Sequence, residues 1–256
     1  MIHPSAIIDP SAILAEDVGV GPFSIIGPDV EIGPGTTVGP HVVIRGPSRI
    51  GRENRIFQFA SIGEDPQDKK YRGEVTRLEM GDRNVIREYC TIHRGTVQDR
   101  SLTRIGNDNL LMASTHVAHD CVIGNGIIMA NGASLAGHVS VDDHAILGGF
   151  SLVHQFCRIG RHSFSGMGSV ISRDIPPYVM VGGSPTKPRG INNVGMERRG
   201  YDAEAVLQIK RAFKVIYKSR LKLEEAIENL AIMAEQSPEI LPLLEFLQQS
   251  GRSIIR

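Results

Sequence analysis

An aliphatic residue recurs at every sixth position along most of this chain. Of 25 positions in this register only Ser165 departs from the pattern. A period of six does not keep side chains on one stripe of an α-helix, whereas short strands joined by tight corners can each point one aliphatic side chain inward. The repeat therefore predicts a parallel β-helix. The register slips once, and its two parts are Ile8, Leu14, Val20, Ile26, Ile32, Val38, Ile44, Ile50, Ile56, Ile62, Met80, Ile86 and Ile92, and then Ile105, Leu111, Val117, Ile123, Met129, Leu135, Val141, Leu147, Val153, Ile159, Ser165 and Ile171.

The repeat resembles that of the hexapeptide-repeat acyltransferases. Their solenoid is a left-handed β-helix with three hexads in each triangular coil, so the resemblance implies this handedness and a coil of about 18 residues. The repeat stops near Pro176, and the periodicity becomes helical from about Tyr201. We therefore expect a mainly β protein, with a left-handed parallel β-helix over residues 1–186 followed by a C-terminal α-helical domain over residues 187–256.

The C-terminal domain is expected to contain three helices. Asp202 is a favourable N-cap for the first, a second falls at about residues 222–236, and a third runs from Ser237-Pro238 to Gly251. The first helix is amphipathic, because four apolar residues recur at helical spacing: Val206, Ile209, Phe213 and Ile216.

Two polar segments interrupt the repeat, at residues 63–79 and 93–104. The second segment covers the slip in register. A solenoid core needs neither segment, so both are candidate functional loops.

Composition excludes several classes of protein. The 28 Lys and Arg residues balance the 28 Asp and Glu residues, so no net charge favours nucleic acid. There is no apolar run of 18 residues and no signal-peptide pattern at the start, so we expect no transmembrane segment. Two of the three cysteines, Cys121 and Cys157, fall two coils apart, roughly 9–10 Å, which is beyond disulfide reach. We therefore expect structural thiols and a cytoplasmic location.

Histidines gather in the middle of the solenoid, where seven of nine lie between His93 and His162. Residues one coil apart should be stacked at about 4.8 Å, so His144 should lie against His162. The same arithmetic predicts a polar cluster on neighbouring coils, outside the narrow core, formed by His119, Asp120, Gly137, His138, His154 and Gln155. Titratable groups that gather in this way favour a functional site.

The sequence alone leaves three other interpretations of this cluster open. The histidines could be solvated corner residues, or zinc ligands as in the γ-class carbonic anhydrases, which use the same solenoid. However, His116-x-x-His119 matches no specific metal motif and Gly137 falls directly beneath His119, so we expect no metal. A structural or ice-binding solenoid would favour flat, uninterrupted faces, which this repeat lacks.

Seven segments between Gln58 and Tyr201 carry a more specific resemblance: QFASIGEDPQDKKYRGEVTRLEMGDRNVIRE, TIHRGTVQ, DNLLMASTHVAHDCVIGN, LAGHVSVDDHAILGG, VHQFCRIG, IPPYV and ERRGY. They closely resemble the UDP-N-acetylglucosamine 3-O-acyltransferase family. The resemblance implies transfer of an R-3-hydroxyacyl chain from acyl carrier protein to the sugar 3-hydroxyl, the first step of lipid A synthesis. The N-acyltransferase acting later in that pathway is the alternative, but it has a separate N-terminal domain, whereas the repeat here starts at Ile8. A related branch uses a 3-amino sugar, and the sequence leaves that choice open.

The resemblance also implies roles for individual residues. His119 would be the general base, Asp120 would orient its ring, and the Gly137 N–H would stabilise the oxyanion. No cofactor would be bound, since the acyl donor arrives on the phosphopantetheine of acyl carrier protein. Substrate contacts would come from Asp68, Lys70, His116, His138, His154, Gln155, Asn192, Arg198 and Arg199. Two residues after Asn192, where the family usually has a glutamate, this chain has Val194. One nucleotide contact is therefore lost or moves to Asn193.

Met167 falls at the position that measures acyl-chain length in this family. A methionine there removes room for several methylenes, so we expect a donor of about ten carbons. Met167 lies eight hexads from His119, so one subunit could not close a groove with both. The family is a homotrimer with active sites between subunits, and we adopt that expectation.

Residues 187–222 form a basic strip within the neutral chain. It contains ten Lys or Arg residues against three acidic residues, or ten minus three, a net charge of +7. Lys210, Lys214 and Lys218 repeat along one helix face. Such a surface attracts an acidic partner, which the resemblance implies to be acyl carrier protein; a solvated helix face is the alternative.

Overall fold

The computed structural model describes residues 1–249 and 253–256. Over these residues, short strands wind into a β-helix with three sheets. Sheets I, II and III begin with β1, β2 and β3, and each continues with every third strand, while β26 and β27 complete sheet III. The strands in chain order, β1 to β27, are Ile7–Ile8, Ile13–Leu14, Gly19–Val20, Ile25–Ile26, Val30–Ile32, Thr37–Val38, Val43–Ile44, Ser48–Ile50, Arg55–Ile56, Ser61–Glu64, Arg77–Met80, Val85–Ile86, Thr91–His93, Leu102–Ile105, Leu110–Leu111, His116–Val117, Val122–Ile123, Ile128–Met129, Ser134–Leu135, Ser140–Val141, Ile146–Leu147, Leu152–Val153, Arg158–Ile159, Phe164–Ser165, Val170–Ile171, Val179–Gly182 and Lys187–Ile191.

The register repeats as the hexads require. Ile7 pairs with Ile25, and Ile25 pairs with Val43, each partner lying 18 residues further along the chain. Only β26 and β27 pair antiparallel; the other described strand pairs are parallel. The predicted left-handed parallel β-helix with a helical C-terminal region is confirmed.

The aliphatic positions fill the inside of the coil. From Val20 onward they are buried, while Ile8 and Leu14 in the first coil are partly exposed. Ser165, the exception in the repeat, is also buried, and its hydroxyl lies 2.8 Å from that of Ser151. A buried hydroxyl with a hydrogen-bond partner avoids most of the desolvation cost. The three cysteines are buried thiols, in keeping with the spacing of Cys121 and Cys157.

Each coil turns at three corners, which we name by the sheets they join. Left-handed backbone recurs at these corners, with a φ of 59° at Asp120 on the I–II corner, 61° at His144 on the II–III corner and 55° at His41 on the III–I corner. Both interruptions of the repeat leave the coil at the I–II corner. They are shorter than predicted, because β10 extends to Glu64, β11 begins at Arg77, and β13 and β14 leave only residues 94–101 between them. We call residues 65–76 the first excursion and residues 94–101 the second excursion.

The C-terminal region contains helices α1 (Asn193–Glu197), α2 (Ala203–Tyr217), α3 (Leu223–Ala234) and α4 (Leu241–Gln248). A 3₁₀ turn at Pro238–Ile240 precedes α4. Asp202 caps α2 by accepting a hydrogen bond from the Ala205 N–H, as predicted. The boundary expected at residue 187 is displaced, since β27 still belongs to sheet III and the helices begin only at Asn193.

The predicted apolar face of α2 packs inward, with Ile209, Phe213 and Ile216 buried and Val206 packed against the same core. The predicted end of the third helix at Gly251 lies outside the described residues. Within residues 1–249 and 253–256, none of the helices has the length and apolarity needed to cross a membrane.

Candidate active site

His119 and Asp120 lie together on the I–II corner, between β16 and β17. The Nδ1 atom of His119 is 2.8 Å from the Oδ2 atom of Asp120. The imidazole is 14% exposed and the carboxylate is fully covered. An ionised carboxylate only accepts hydrogen bonds, so this contact places the ring proton on Nδ1. The second ring nitrogen, Nε2, is left as a base.

Asp120 remains a carboxylate despite its burial. Burial alone raises the pKa of Asp120, but the hydrogen bonds from His119 and Thr96 outweigh it and keep the pKa below its usual value. The Thr96 N–H donates to Oδ1 at 2.9 Å and the Thr96 hydroxyl donates to Oδ2 at 2.6 Å. The Asp120 N–H in turn donates to the Thr103 hydroxyl at 2.8 Å. The charge beside His119 is therefore present at neutral pH.

Gly137 lies against His119 on the next coil. A Cβ atom at residue 137 would come within 2.5 Å of the Cε1 atom of His119 and 2.7 Å of Nε2, so no side chain fits there. Over residues 1–249 and 253–256, the hydrogen bonds include none from the Gly137 N–H to another backbone group. This leaves a backbone donor close to the basic nitrogen.

His138 stacks above Asp120 as the coil arithmetic predicts. Its Nδ1 atom is 3.0 Å from a carboxylate oxygen of Asp99 on the second excursion, and its Nε2 atom is 3.9 Å from the Oδ2 atom of Asp120. Its ring packs against Phe156 at 4.4 Å between centroids and edge-on to His119 at 5.1 Å. His138 thus faces carboxylates on two sides.

His116 lies on β16 and faces away from the core. Its Nδ1 atom is 2.7 Å from the Thr91 hydroxyl, and its ring meets that of His93 edge-on at 5.1 Å. Burial, followed by the repulsion of His116, lowers the pKa of His93 to about 4. Burial, with a smaller contribution from His119, also lowers the pKa of His116. Both rings are therefore biased towards the neutral form beside His119.

The two excursions and the histidine coils enclose a cleft of about 840 Å³. Arg94 ties the excursions together, because its guanidinium donates to the Gly63 carbonyl at 2.5 Å, to the Tyr71 hydroxyl at 3.1 Å and to the Asp65 carboxylate. Five of the predicted site residues line the cleft: Asp68, Lys70, His119, His138 and Gln155. The other lining residues, Gln67, Lys69, Gln98, Asp99 and Phe156, were not predicted.

The remaining predicted contacts lie elsewhere on the single chain. Asn192 and Arg198 line a second cleft of about 360 Å³, which is bordered by Phe164 and Val194. The Asn192 amide is engaged within the chain, since it accepts from the Gly195 N–H and donates to the His162 carbonyl, each at 3.0 Å.

Three further predicted residues also lie apart from the first cleft. Met167 is 79% exposed at the III–I corner, between β24 and β25. Arg199 is exposed near His144, which stacks on His162 at 5.0 Å as predicted. His154 is exposed, and its Nδ1 atom is 3.1 Å from the Gln155 carbonyl.

His119, Asp120 and His138 are the one group in the described part of the chain whose ligand-type atoms converge closely enough for a metal ion. The atoms that face one another are already engaged: His119 Nδ1 contacts Asp120, and both Asp120 oxygens accept from Thr96. Zinc sites of the catalytic type use three protein ligands with free lone pairs pointing to one centre. In this group the facing lone pairs are already used in hydrogen bonds within the chain.

Sequence reasoning missed Thr96 and Asp99. Both lie in the second excursion, where no repeat fixes a position. The slip in register marked the segment as an insertion, which was the only available signal. The contacts to Asp120 and His138 become visible only once the loop is folded back on the corner.

A β-helix of hexapeptide repeats that carries a histidine–aspartate pair on one corner defines a hexapeptide-repeat transferase. Residues 11–46 and 102–137 match the family described as bacterial transferase hexapeptide, and residues 174–255 match the second domain of the UDP-N-acetylglucosamine O-acyltransferases. The chain belongs to the acyl-[acyl-carrier-protein]–UDP-N-acetylglucosamine O-acyltransferase family.

Relatives of that name match from end to end. The chain is 57% identical to the one from Stutzerimonas stutzeri and 56% identical to the one from Thiobacillus denitrificans, covering 100% of this chain and 99% of each relative. Among solved structures, LpxA from Acinetobacter baumannii superimposes with a TM-score of 0.97 at 50% identity, and the UDP-N-acetylglucosamine O-acyltransferase of Moraxella catarrhalis with 0.97 at 46% identity. Each match covers 100% of this chain and 99% of the other.

Proposed function

We propose that this enzyme transfers an R-3-hydroxyacyl chain from acyl carrier protein to the 3-hydroxyl of UDP-N-acetylglucosamine, with His119 as the general base. This is the first step of lipid A biosynthesis. The observation that carries the proposal is the 2.8 Å contact between His119 Nδ1 and the buried Asp120 carboxylate at the edge of the cleft. The name shared by the relatives supplies the reaction.

The reaction needs one proton to move twice. The sugar 3-hydroxyl gives its proton to His119 Nε2 as its oxygen attacks the thioester carbon, and the carbonyl electrons move onto oxygen. The Gly137 N–H donates to that oxyanion. Collapse of the tetrahedral intermediate breaks the carbon–sulfur bond, and the phosphopantetheine sulfur takes the proton from the imidazolium. No cofactor is needed in any step.

Asp120 acts on this sequence through the ring of His119. A buried carboxylate at 2.8 Å fixes the tautomer and stabilises the imidazolium that forms during attack. An imidazole nitrogen can accept a proton from the sugar hydroxyl and return it to the leaving group. The three cysteines are buried thiols, which fits a reducing compartment, and we propose the cytoplasm as the site of the reaction.

The acceptor is proposed to bind in the cleft beside His119. Lys70 supplies a cation for phosphate, and Asp68 supplies an acceptor for sugar hydroxyls or the amide N–H. His138 and Gln155 line the same cleft. We assign His116 and His154 to the same end of the site, the first through its position beside His93 and the second through its neighbour Gln155.

We propose a homotrimer with active sites between subunits. The outer face of sheet II carries ion pairs, such as Arg49 with Glu31 at 3.5 Å and Arg104 with Glu79 at 2.9 Å, as a solvated surface would. Sheet I and the III–I corner instead expose large apolar side chains, which is unusual for a surface left in water. These are Ile7, Phe23, Phe59, Phe150, Leu152 and Val170.

The trimer would also bring the separated site residues together. Met167 lies at the III–I corner and His119 at the I–II corner of the same chain, so a neighbour has to supply one of them to any shared groove. The second cleft, with Asn192 and Arg198, would then complete the nucleotide and carrier contacts together with Arg199. Met167 would end the acyl groove, which favours a donor of about ten carbons.

Acyl carrier protein is proposed to dock on the basic strip at residues 187–222. Lys210, Lys214 and Lys218 are exposed along α2 and at its C-terminal end. A carrier of opposite charge would be attracted there, so its association should weaken with added salt.

Replacing the base tests the function most directly. We expect His119→Ala to lower turnover by about a hundredfold to ten-thousandfold, because general base catalysis typically contributes that much. Product from UDP-N-acetylglucosamine and 3-hydroxyacyl carrier is quantified by mass spectrometry, with melting temperature and oligomeric state measured in parallel. Full turnover by a folded His119→Ala protein would contradict the proposal.

A further inference from the structure

We propose that Thr96, on the second excursion, positions Asp120 and through it the ring of His119. The inference rests on the proposed function, because it concerns the same general base. It adds a third residue to the His119–Asp120 pair and gives the second excursion a specific task.

Thr96 donates a hydrogen bond to each oxygen of the Asp120 carboxylate. Its N–H reaches Oδ1 at 2.9 Å and its hydroxyl reaches Oδ2 at 2.6 Å. Thr96 is 1% exposed and Asp120 is 2% exposed, so water does not compete for these contacts. Thr103, at the start of β14, accepts from the Asp120 N–H, which fixes the backbone of the same residue.

The hydroxyl contact matters because a carboxylate rotates easily. The terminal torsion of an aspartate has a broad, weakly preferred range, and the backbone contact to Oδ1 alone leaves Oδ2 free to swing. Oδ2 is the oxygen that holds His119 Nδ1 at 2.8 Å. A second donor on Oδ2 therefore fixes the plane of the carboxylate and, with it, the direction of His119 Nε2.

The available protons determine which groups donate to Asp120 Oδ2. The Thr96 hydroxyl has one proton, and the 2.6 Å contact to a carboxylate oxygen requires it to donate there. Because Asp120 is ionised, Oδ2 accepts from both Thr96 and His119, and the reversed tautomer would place the Nδ1 lone pair against this oxygen. The arrangement selects the imidazole form whose Nε2 can accept a proton.

The second excursion is built around this contact. In an uninterrupted coil, paired residues lie 18 positions apart in the sequence, as Ile7 and Ile25 do. Thr91 and its partner His116 lie 25 positions apart, so this coil contains seven extra residues. Asp99 on the same loop reaches His138, and Arg94 at its start ties it to the first excursion. The β-helix core requires none of these contacts.

Thr96→Val tests the hydroxyl while keeping the shape and the backbone N–H. We expect kcat to fall about tenfold with the KM for UDP-N-acetylglucosamine within about twofold, because the change affects orientation of the base and not the acceptor pocket. Thr96→Ser restores the hydroxyl and should recover most of the rate. Thr76→Val is the matched control, since Thr76 is equally buried and its hydroxyl has no hydrogen-bond partner among the described residues.

A double-mutant cycle separates positioning from a merely structural role. If Thr96 acts through Asp120, Thr96→Val should change kcat by less than about twofold in an Asp120→Ala background. A tenfold loss in both backgrounds, or wild-type kcat in Thr96→Val, would overturn the proposal. Should Thr96→Val fail to fold, Thr96→Cys replaces it with the same expected loss, because a thiol is a weak donor.

The outcome is distinguishable from failure of the proposed function. Wild-type turnover in Thr96→Val beside an inactive His119→Ala removes only the role of Thr96. Wild-type turnover in both variants removes the role of the base as well.

Discussion

All three corners of the solenoid carry stacked rings, and of the III–I and I–II corners only the second carries the candidate histidine–aspartate pair. On the III–I corner, Phe23, His41, Phe59 and Tyr89 form a ladder with centroids 5.2, 5.3 and 5.2 Å apart. On the I–II corner, His138 stacks on Phe156 at 4.4 Å. His41 and His138 share the left-handed conformation, with φ values of 55° and 62°.

The difference between the corners lies in what surrounds the rings. The III–I ladder is exposed, and its column along the coils contains no acidic residue. The rings of the I–II corner lie next to buried Asp120, and the two excursions line the cleft beside it. Ring stacking is therefore a product of the coil repeat, because residues one coil apart on a corner must lie one above another. The candidate site lies where a buried carboxylate joins the stacked rings and an inserted loop hydrogen-bonds to it.

The largest expected contrast comes from one substitution made at both corners. We expect His138→Asn to lower kcat/KM by about tenfold to a hundredfold, the cost of losing a hydrogen bond to a charged group or substrate. We expect His41→Asn to change kcat/KM by less than about twofold. Asparagine tolerates the left-handed region, so neither change strains the corner. Steady-state kinetics on both purified variants checks this.

Equal losses in the two variants would break the comparison, because they would show that stacking itself supports activity. Equal melting temperatures would show that the kinetic difference does not come from folding.

The next effect concerns Met167, which lies at the III–I corner itself. We expect Met167→Gly to raise the ratio of kcat/KM for fourteen-carbon over ten-carbon donors by about tenfold or more, since removing the side chain opens room for additional methylenes. Competition between acyl carriers, read by mass spectrometry, measures the ratio. An unchanged preference would show that the III–I corner takes no part in the groove.

The smallest effect concerns the II–III corner, where His162 is buried against Tyr178. Burial, followed by the repulsion of His144, lowers the pKa of His162 to about 4, whereas an unfolded histidine titrates near 6.5. Between these values the unfolded chain binds more protons, so the free energy of unfolding falls as the pH falls from about 6.5 to 4.

Melting temperatures measured from pH 7 to pH 5 provide the test. We expect the decrease to be about 2–4 °C smaller in His162→Gln than in the wild type. His3→Gln, at an exposed histidine, is the control and should keep the wild-type slope. A wild-type slope in His162→Gln would contradict the assignment.

The repeat was sufficient to predict the β-helix, because a period of six lets each short strand point one aliphatic side chain into the core. The same coil arithmetic brought His119, Gly137 and His138 together, because corner positions inherit the period. It could not find Thr96 or Asp99, whose loop has no period to constrain it. Nor could it show that the Asn192 amide is engaged within its own chain, a result of the short helix α1 that the sequence pattern did not reveal.

The boundary of the helical domain was misplaced for a related reason. Strand β27 runs antiparallel to β26 and contains Pro188 and Gly190, so it has neither the hexad period nor a typical strand composition. Its pairing is set by the strand already present at the end of the coil. Local sequence carries little information about such an edge strand.

The strands on either side of the two excursions stay paired, since Ser61 still pairs with Thr91 and Thr91 with His116, although the register shifts between Ile62 and Glu64 where the first excursion begins. Hydrogen bonding in a β-helix runs along the axis, whereas a loop at a corner projects sideways. Loops of different length and chemistry could therefore be exchanged at the I–II corner without a new folding solution for the body. In a scaffold of this kind, changes in the corner loops could alter which acceptor is bound while the stability of the β-helix stays almost constant.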